Sequence, residues 1–96
     1  MKLVFHPEAD QEFIDSIDYY ESAEPGLGEE FYAEIMATIG RVTCSPKAWP
    51  ILVGDVRRCL CHRFPYGVLY SVETDSIYIL AVMHLRRHQD YWKQRT

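Results

Sequence analysis

The stretch Val56-Arg57-Arg58-Cys59-Leu60-Cys61-His62-Arg63-Phe64-Pro65-Tyr66-Gly67-Val68-Leu69-Tyr70-Ser71-Val72-Glu73-Thr74-Asp75-Ser76-Ile77-Tyr78-Ile79-Leu80-Ala81-Val82-Met83-His84 decides the fold. It reads as three strands, at 56–64, 68–73 and 77–84, separated by turns at 65–67 and 74–76. Connections this short imply an antiparallel meander. In the last strand Ile77, Ile79, Ala81 and Met83 alternate onto one face, with Tyr78, Leu80 and Val82 on the other. Both faces are apolar, yet a pair of helices can cover only one face of a sheet. The second face is therefore either covered by the segment 45–55 and the tail, or left open for a partner.

The residues before the meander read as strand, helix, helix. Residues 2–6 form a short first strand. Pro7 opens a helix, where its missing N–H costs nothing, and Glu8, Asp10 and Glu12 suit the positive end of the helix dipole. Ala9, Phe13, Ile17 and Tyr20 recur at helical spacing as its buried stripe. The chain breaks at Glu24-Pro25-Gly26-Leu27-Gly28, and a second helix follows with the stripe Phe31, Ile35, Ile39 and Val42, flanked by Tyr32 and Met36. Gly40 either admits a close helix–helix approach or lies at a fraying end. Ser45-Pro46 stops this helix, and 45–55, with Trp49-Pro50, reads as loop. The expected class is α+β, in the order β-α-α-β-β-β, with an antiparallel helical hairpin packed on a mainly antiparallel sheet. A basic tail, Leu85 to Thr96, ends the chain.

The length of 96 residues predicts one domain, 1–96, with room for a single core. No apolar run reaches the ~18–20 residues of a membrane span, and the N-terminus lacks the pattern of a signal peptide. Three cysteines, Cys44, Cys59 and Cys61, do not make a disulfide framework. Free thiols fit a cytoplasmic protein. His62 beside Cys61 lacks the further ligands that zinc requires, so no metal is expected, and nothing points to a cofactor.

The net charge of −4 hides an asymmetry. Residues 1–40 hold one base and ten acids, and residues 41–96 hold nine bases and four acids. Seven of the ten bases are Arg, the residue suited to planar recognition of carboxylate or phosphate. The acidic balance argues against general nucleic-acid binding. Within the basic half, the last strand runs into His84-Leu85-Arg86-Arg87-His88, with Tyr91-Trp92 beyond. Arg57, Arg58 and Arg63 stand upstream. Phosphodiester cleavage would need an Arg for the phosphate and a His or Tyr as acid or base. The plainer readings are ion pairs with the acidic helices for Arg86 and Arg87, a structural hydrogen bond for His84 and a tail anchor for Trp92. Arg57 and Arg58 point to opposite faces, so one site can use only one of them.

With these residues in view, the chain resembles toxins of the RelE/ParE superfamily of bacterial type II toxin–antitoxin systems. The likeness rests on His6-Pro7-Glu8-Ala9 after a first strand, the acidic hairpin, Val56-Arg57-Arg58 with Arg63-Phe64-Pro65-Tyr66-Gly67-Val68-Leu69-Tyr70, and Ile79 to Arg87 followed by Tyr91-Trp92. The resemblance implies an antitoxin whose C-terminal segment wraps the toxin. RelE-like members cut mRNA on the ribosome with several Lys and Arg and a C-terminal Tyr. Here that set would be Arg58, Arg63, His84, Arg86, Arg87 and Tyr91. ParE-like members are not nucleases and poison DNA gyrase. The form Val-Met-His-Leu-Arg-Arg and the acidic net charge resemble ParE. That reading makes Arg86, Arg87, Tyr91 and Trp92 target-binding residues. It makes Phe13, Ile17, Tyr20, Arg57 and Arg63 contacts of a ParD-like antitoxin.

Overall fold

The computed structural model describes residues 1–95, so Thr96, the end of the expected tail, lies outside the described residues. Strand β1 (Lys2–Phe5) leads into helix α1 (Pro7–Ala23) and helix α2 (Leu27–Cys44). Strands β2 (Ile51–Val53), β3 (Val56–Leu60), β4 (Tyr66–Val72) and β5 (Ser76–His84) follow, and a single 3-10 turn, Lys93–Arg95, closes the described chain. The sheet order is β1-β5-β4-β3-β2. β1 runs parallel to β5, and every other pairing is antiparallel. This is the expected α+β arrangement with one strand more, in the order β-α-α-β-β-β-β.

The hairpin forms where the sequence places it. The His6 imidazole Nδ1 accepts the Glu8 N–H at 3.1 Å and caps α1 ahead of Pro7. At the break, Gly26 adopts φ 90°, a left-handed conformation that suits glycine. The Glu21 carboxylate accepts the N–H groups of Gly26 and Gly28 at 3.0–3.1 Å, so an acid from α1 caps α2. Of the two readings left open for Gly40, the close approach does not hold, and it occurs at Gly28 instead. A Cβ on Gly28 would lie 2.7 Å from the Ile17 carbonyl oxygen, whereas one on Gly40 would meet nothing within 4 Å. Gly28→Ala is therefore expected to cost about 1–3 kcal/mol in a denaturant melt, because backbone must move to admit the methyl group. Gly40→Ala should stabilise slightly through helix propensity. Equal effects at the two sites would contradict this packing.

The helical stripes bury as their spacing predicts. Ala9, Phe13, Phe31, Ile35, Ile39 and Val42 meet Val68, Tyr70, Ile77, Ile79 and Val82 in one core, with Ile17 and Tyr20 half-buried at its rim. Phe31 stands edge-on to both Phe64 (5.1 Å) and Tyr66 (4.8 Å), a geometry favoured by the ring quadrupoles.

Four details differ from the sequence reading, each for a physical reason. The first strand stops at Phe5, because His6 has already turned to cap α1. The segment 45–55 contains strand β2, which the Gly54-Asp55 turn folds onto β3, with Gly54 at φ 58°. The strand expected over 56–64 ends at Leu60. There the Cys61 N–H bonds the Tyr66 carbonyl at 2.9 Å, while the His62 N–H leaves the ladder for the Glu34 carboxylate at 2.6 Å. β4 accordingly begins at Tyr66.

The fourth difference lies in β5. Leu69 pairs with Ala81 and Tyr70 with Ile79, which leaves Leu80 as the extra residue of a β-bulge. The alternation shifts there. Ile77, Ile79 and Val82 face the helices, while Leu80, Ala81 and Met83 face away. That second face is covered: Trp92, at 1% exposure, packs with Val56, Leu69, Leu80, Ala81 and Met83. No helix among the described residues is long and apolar enough to cross a membrane.

Candidate functional site

β5 delivers the chain to the far end of the sheet, and a series of turns folds it back. The Leu85 N–H bonds the Pro65 carbonyl at 2.9 Å, and the Arg87 N–H bonds the His84 carbonyl at 2.9 Å. The His84 Nδ1 accepts the Arg86 N–H at 3.0 Å, so His84 shapes the turn as a structural residue would. His88 repeats the device for the Asp90 N–H at 3.2 Å. Leu85, Arg86, Arg87 and His88 stand exposed at the tip.

The return leg is locked. The Arg95 guanidinium makes a bidentate pair with Glu12 of α1, with Nη1 to Oε1 and Nη2 to Oε2 both at 2.9 Å. Its side chain is 5% exposed and that of Glu12 is 13% exposed. These two groups also serve the edge of β5. β1 ends at Phe5, opposite Ile79, so residues beyond Ile79 lack a strand on that side. Arg95 Nη1 donates to the Leu80 carbonyl at 3.1 Å, and the Val82 N–H donates to Glu12 Oε1 at 3.3 Å. Arg87 and Glu8 flank the pair at 3.8 and 3.9 Å. Burial disfavours the charge on Arg95, but the Glu12 carboxylate outweighs it and raises its pKa.

Tyr91 is enclosed by the same groups. The Arg87 guanidinium lies 4.1 Å from its ring centroid and that of Arg95 lies 4.9 Å away. Its hydroxyl is buried, and burial, together with the Glu12 carboxylate, pushes its pKa far above the ordinary tyrosine value. The Tyr91 hydroxyl is thus an enclosed group.

The other residues singled out by sequence fall in separate places. Arg57 and Arg58 do point to opposite faces. Arg57 donates to the Trp49 and Lys47 carbonyls at 2.7 and 3.2 Å and braces the segment before β2. Arg58 lies on the tail side of the sheet, its stem over Gly67, where a Cβ would sit 3.2 Å from Arg58 carbons. It lines an open cleft with Leu52, Met83 and Trp92. Arg63 is remote, in an exposed ion pair with Glu30 at 2.7 Å. Phe13 is buried, sandwiched between Phe5 and Tyr32 in stacked pairs, and Ile17 packs on the core. Trp92 has its ring under the sheet and offers no surface to a partner in this conformation. The structure therefore brings Arg87 and Tyr91 together, with Arg86 beside Arg87 on the exposed turn, and leaves Arg58 and Arg63 outside that group.

The sequence reading missed Glu12 and Arg95. No motif marks either one, and the pair spans 83 positions of chain. Among the described residues no group of three or more His, Cys, Asp or Glu converges as a metal site would. The three cysteines carry free thiols, and burial raises the pKa of Cys59 and of Cys61.

The turn between β3 and β4 depends on Glu34. Its carboxylate accepts the N–H groups of His62 and Arg63, and the first of these bonds chiefly lowers its pKa. A carboxyl whose folded pKa is depressed stabilises the fold above its unfolded pKa of about 4.3 and loses that contribution as pH falls through the folded value. The melting-temperature gap between the wild type and Glu34→Gln should therefore be widest near about pH 7 and shrink toward about pH 3. A constant gap would contradict the assignment.

Residues 3–89 match the family described as "ParE toxin of type II toxin-antitoxin system, parDE". The chain belongs to this family of toxins. Its fold is similar to a solved structure, "Chromosomal ParDE TA system from P. aeruginosa", with a TM-score of 0.78 and 19% sequence identity over 90% of this chain and 97% of that one. No curated protein sequence matches the chain.

Proposed function

We propose that this toxin acts by binding DNA gyrase, that a cognate ParD-like antitoxin neutralises it, and that residues 1–96 form one toxin domain working in the cytoplasm. Arg86 and Arg87 are the target contacts, with Leu85 beside them, on a turn whose position Tyr91 and Trp92 fix from behind. The observation that carries the choice is the state of Tyr91. A nuclease of this architecture would need that hydroxyl to exchange a proton with substrate. Here it is buried and covered by Arg87 and Arg95, which keep it from a substrate. Arg63, a second member of the candidate nuclease set, is engaged elsewhere by Glu30. The net charge of −4 also disfavours entry into an RNA-rich site. An exposed basic turn on a rigid support suits a protein or protein–DNA surface instead.

The test is controlled expression in bacterial cells, with and without the antitoxin gene. The wild-type chain alone should arrest growth and produce DNA breaks with intact mRNA. The double variant Arg86→Ala, Arg87→Ala should fold and fail to arrest growth. Cleaved mRNA on stalled ribosomes, without DNA breaks, would overturn the gyrase reading.

A further inference from the structure

On the side of the sheet away from the tail's return leg, Asp15, Ser16, Tyr19, Tyr20, Tyr66 and His84 line a cavity of about 380 Å³, open to solvent. Four of these six residues are aromatic. Their rings follow one another as the walls of a box. Tyr19 and Tyr20 stand 5.3 Å apart at 78°, Tyr20 and Tyr66 6.2 Å apart at 63°, and Tyr66 and His84 5.1 Å apart at 75°. Two walls are held by hydrogen bonds. The Tyr66 hydroxyl bonds the Ser16 hydroxyl at 3.3 Å, and the His84 ring is oriented by the Arg86 N–H. Asp15 supplies a carboxylate at the rim. One of its oxygens accepts from the Gln11 amide at 2.8 Å.

We infer that this box receives one cationic side chain, Arg or Lys, carried by the wrapping segment of the antitoxin. Ring faces carry negative quadrupole density, so a group of aromatic rings with a carboxylate beside it selects a cation. The charge along α1 has the same sign, because Asp18 and Glu21 follow Asp15 and every charged residue of that helix is acidic. The occupant belongs to a polypeptide because α1 exposes apolar side chains both at the box, in Tyr19, and farther round the helix, in Ile14. Tyr19 is 69% exposed and Ile14 is 44% exposed. A free amine in the box would leave Ile14 uncovered, whereas a chain crossing α1 would lie over it as well. The charge pattern thus divides the antitoxin's contacts: basic residues on α1, acidic residues on the Arg-rich half.

The inference rests on the toxin–antitoxin reading, and two arms separate their failures. In the first, the free toxin is titrated with N-acetyl-arginine amide, with N-acetyl-norleucine amide as the uncharged control, and ring resonances are followed by NMR. Tyr19, Tyr66 and His84 should shift with the arginine probe alone, and Asp15→Asn should abolish the shift. Failure of the arginine probe to move them overturns the cation site. In the second, the affinity of the cognate antitoxin is measured. Asp15→Asn and Tyr19→Ala should each weaken it about 5- to 10-fold, and Asp15→Glu should restore it. Alanine at one basic residue of the antitoxin should make the complex insensitive to Asp15→Asn. An antitoxin that binds both variants as it binds the wild type overturns the assignment of the occupant. An antitoxin that does not bind the wild type overturns the underlying reading.

Discussion

Replacing Arg95 with alanine is expected to destabilise the protein by about 3–5 kcal/mol, since it leaves Glu12 charged and largely buried without its bidentate partner, with only the Val82 N–H and the more distant Arg87 beside it. That is a large part of the about 5–15 kcal/mol that holds a domain of this size together. The loss has two sources. One is the stranded carboxylate, whose two oxygens accept 2.9 Å bonds from Arg95. The other is the Leu80 carbonyl, which loses its donor at an edge that no strand covers. Removing both charges at once, as Glu12→Leu with Arg95→Met, should recover much of the loss, because apolar replacements leave no buried charge behind. The internal control is Arg63→Ala. Its pair with Glu30 is shorter, at 2.7 Å, but the side chains are 60% and 49% exposed. An exposed pair is worth about 0–1 kcal/mol. Denaturant melts of the variants check the contrast. Equal losses for Arg95→Ala and Arg63→Ala would show that the tail is not anchored as described.

Trp92→Ala is expected to cost about 3–5 kcal/mol and to abolish growth arrest. The indole covers Leu69, Leu80, Ala81 and Met83, so its removal opens the second face of the sheet to water. It also frees the leg that returns from Arg86 and Arg87, and a mobile turn binds more weakly because it must be ordered on contact. Trp92→Phe separates the two effects. The indole N–H has no hydrogen-bond partner among the described residues, so a phenyl ring forfeits no bond. This variant should lose about 1 kcal/mol or less and keep its toxicity. Full toxicity of a folded Trp92→Ala protein would dissociate the tail's position from function.

Much of the fold was legible because its signals are local. The stripes Phe13-Ile17-Tyr20 and Phe31-Ile35-Ile39-Val42 have helical period, and short turns separate the strands of the meander. The details that escaped are those without a period to read. Ile51-Leu52-Val53 is too short to distinguish from an apolar loop, and only its pairing with β3 makes it a strand. Residues 77–83 are apolar throughout, so a bulge at Leu80 leaves no trace in the pattern, though it reverses the faces of Ala81, Val82 and Met83. At the site, the exposed turn was legible from its run of Arg and His. Its support was legible only in part, in Trp92 as the anchor of the tail and not in the Glu12–Arg95 pair. Glu12 is one of ten acids in the first forty residues, and nothing local distinguishes it from those that face water. Charge alone could not show that Arg63 is paired at a distant surface while Arg87 stacks on Tyr91.

The most direct test of the central claim is a supercoiling assay with purified gyrase and increasing amounts of this toxin, run with and without its antitoxin. Loss of supercoiling with accumulation of cleaved DNA is expected, reversed by the antitoxin and absent for the Arg86→Ala, Arg87→Ala variant. Unimpaired gyrase, in the presence of protein that arrests growth in cells, would contradict the claim.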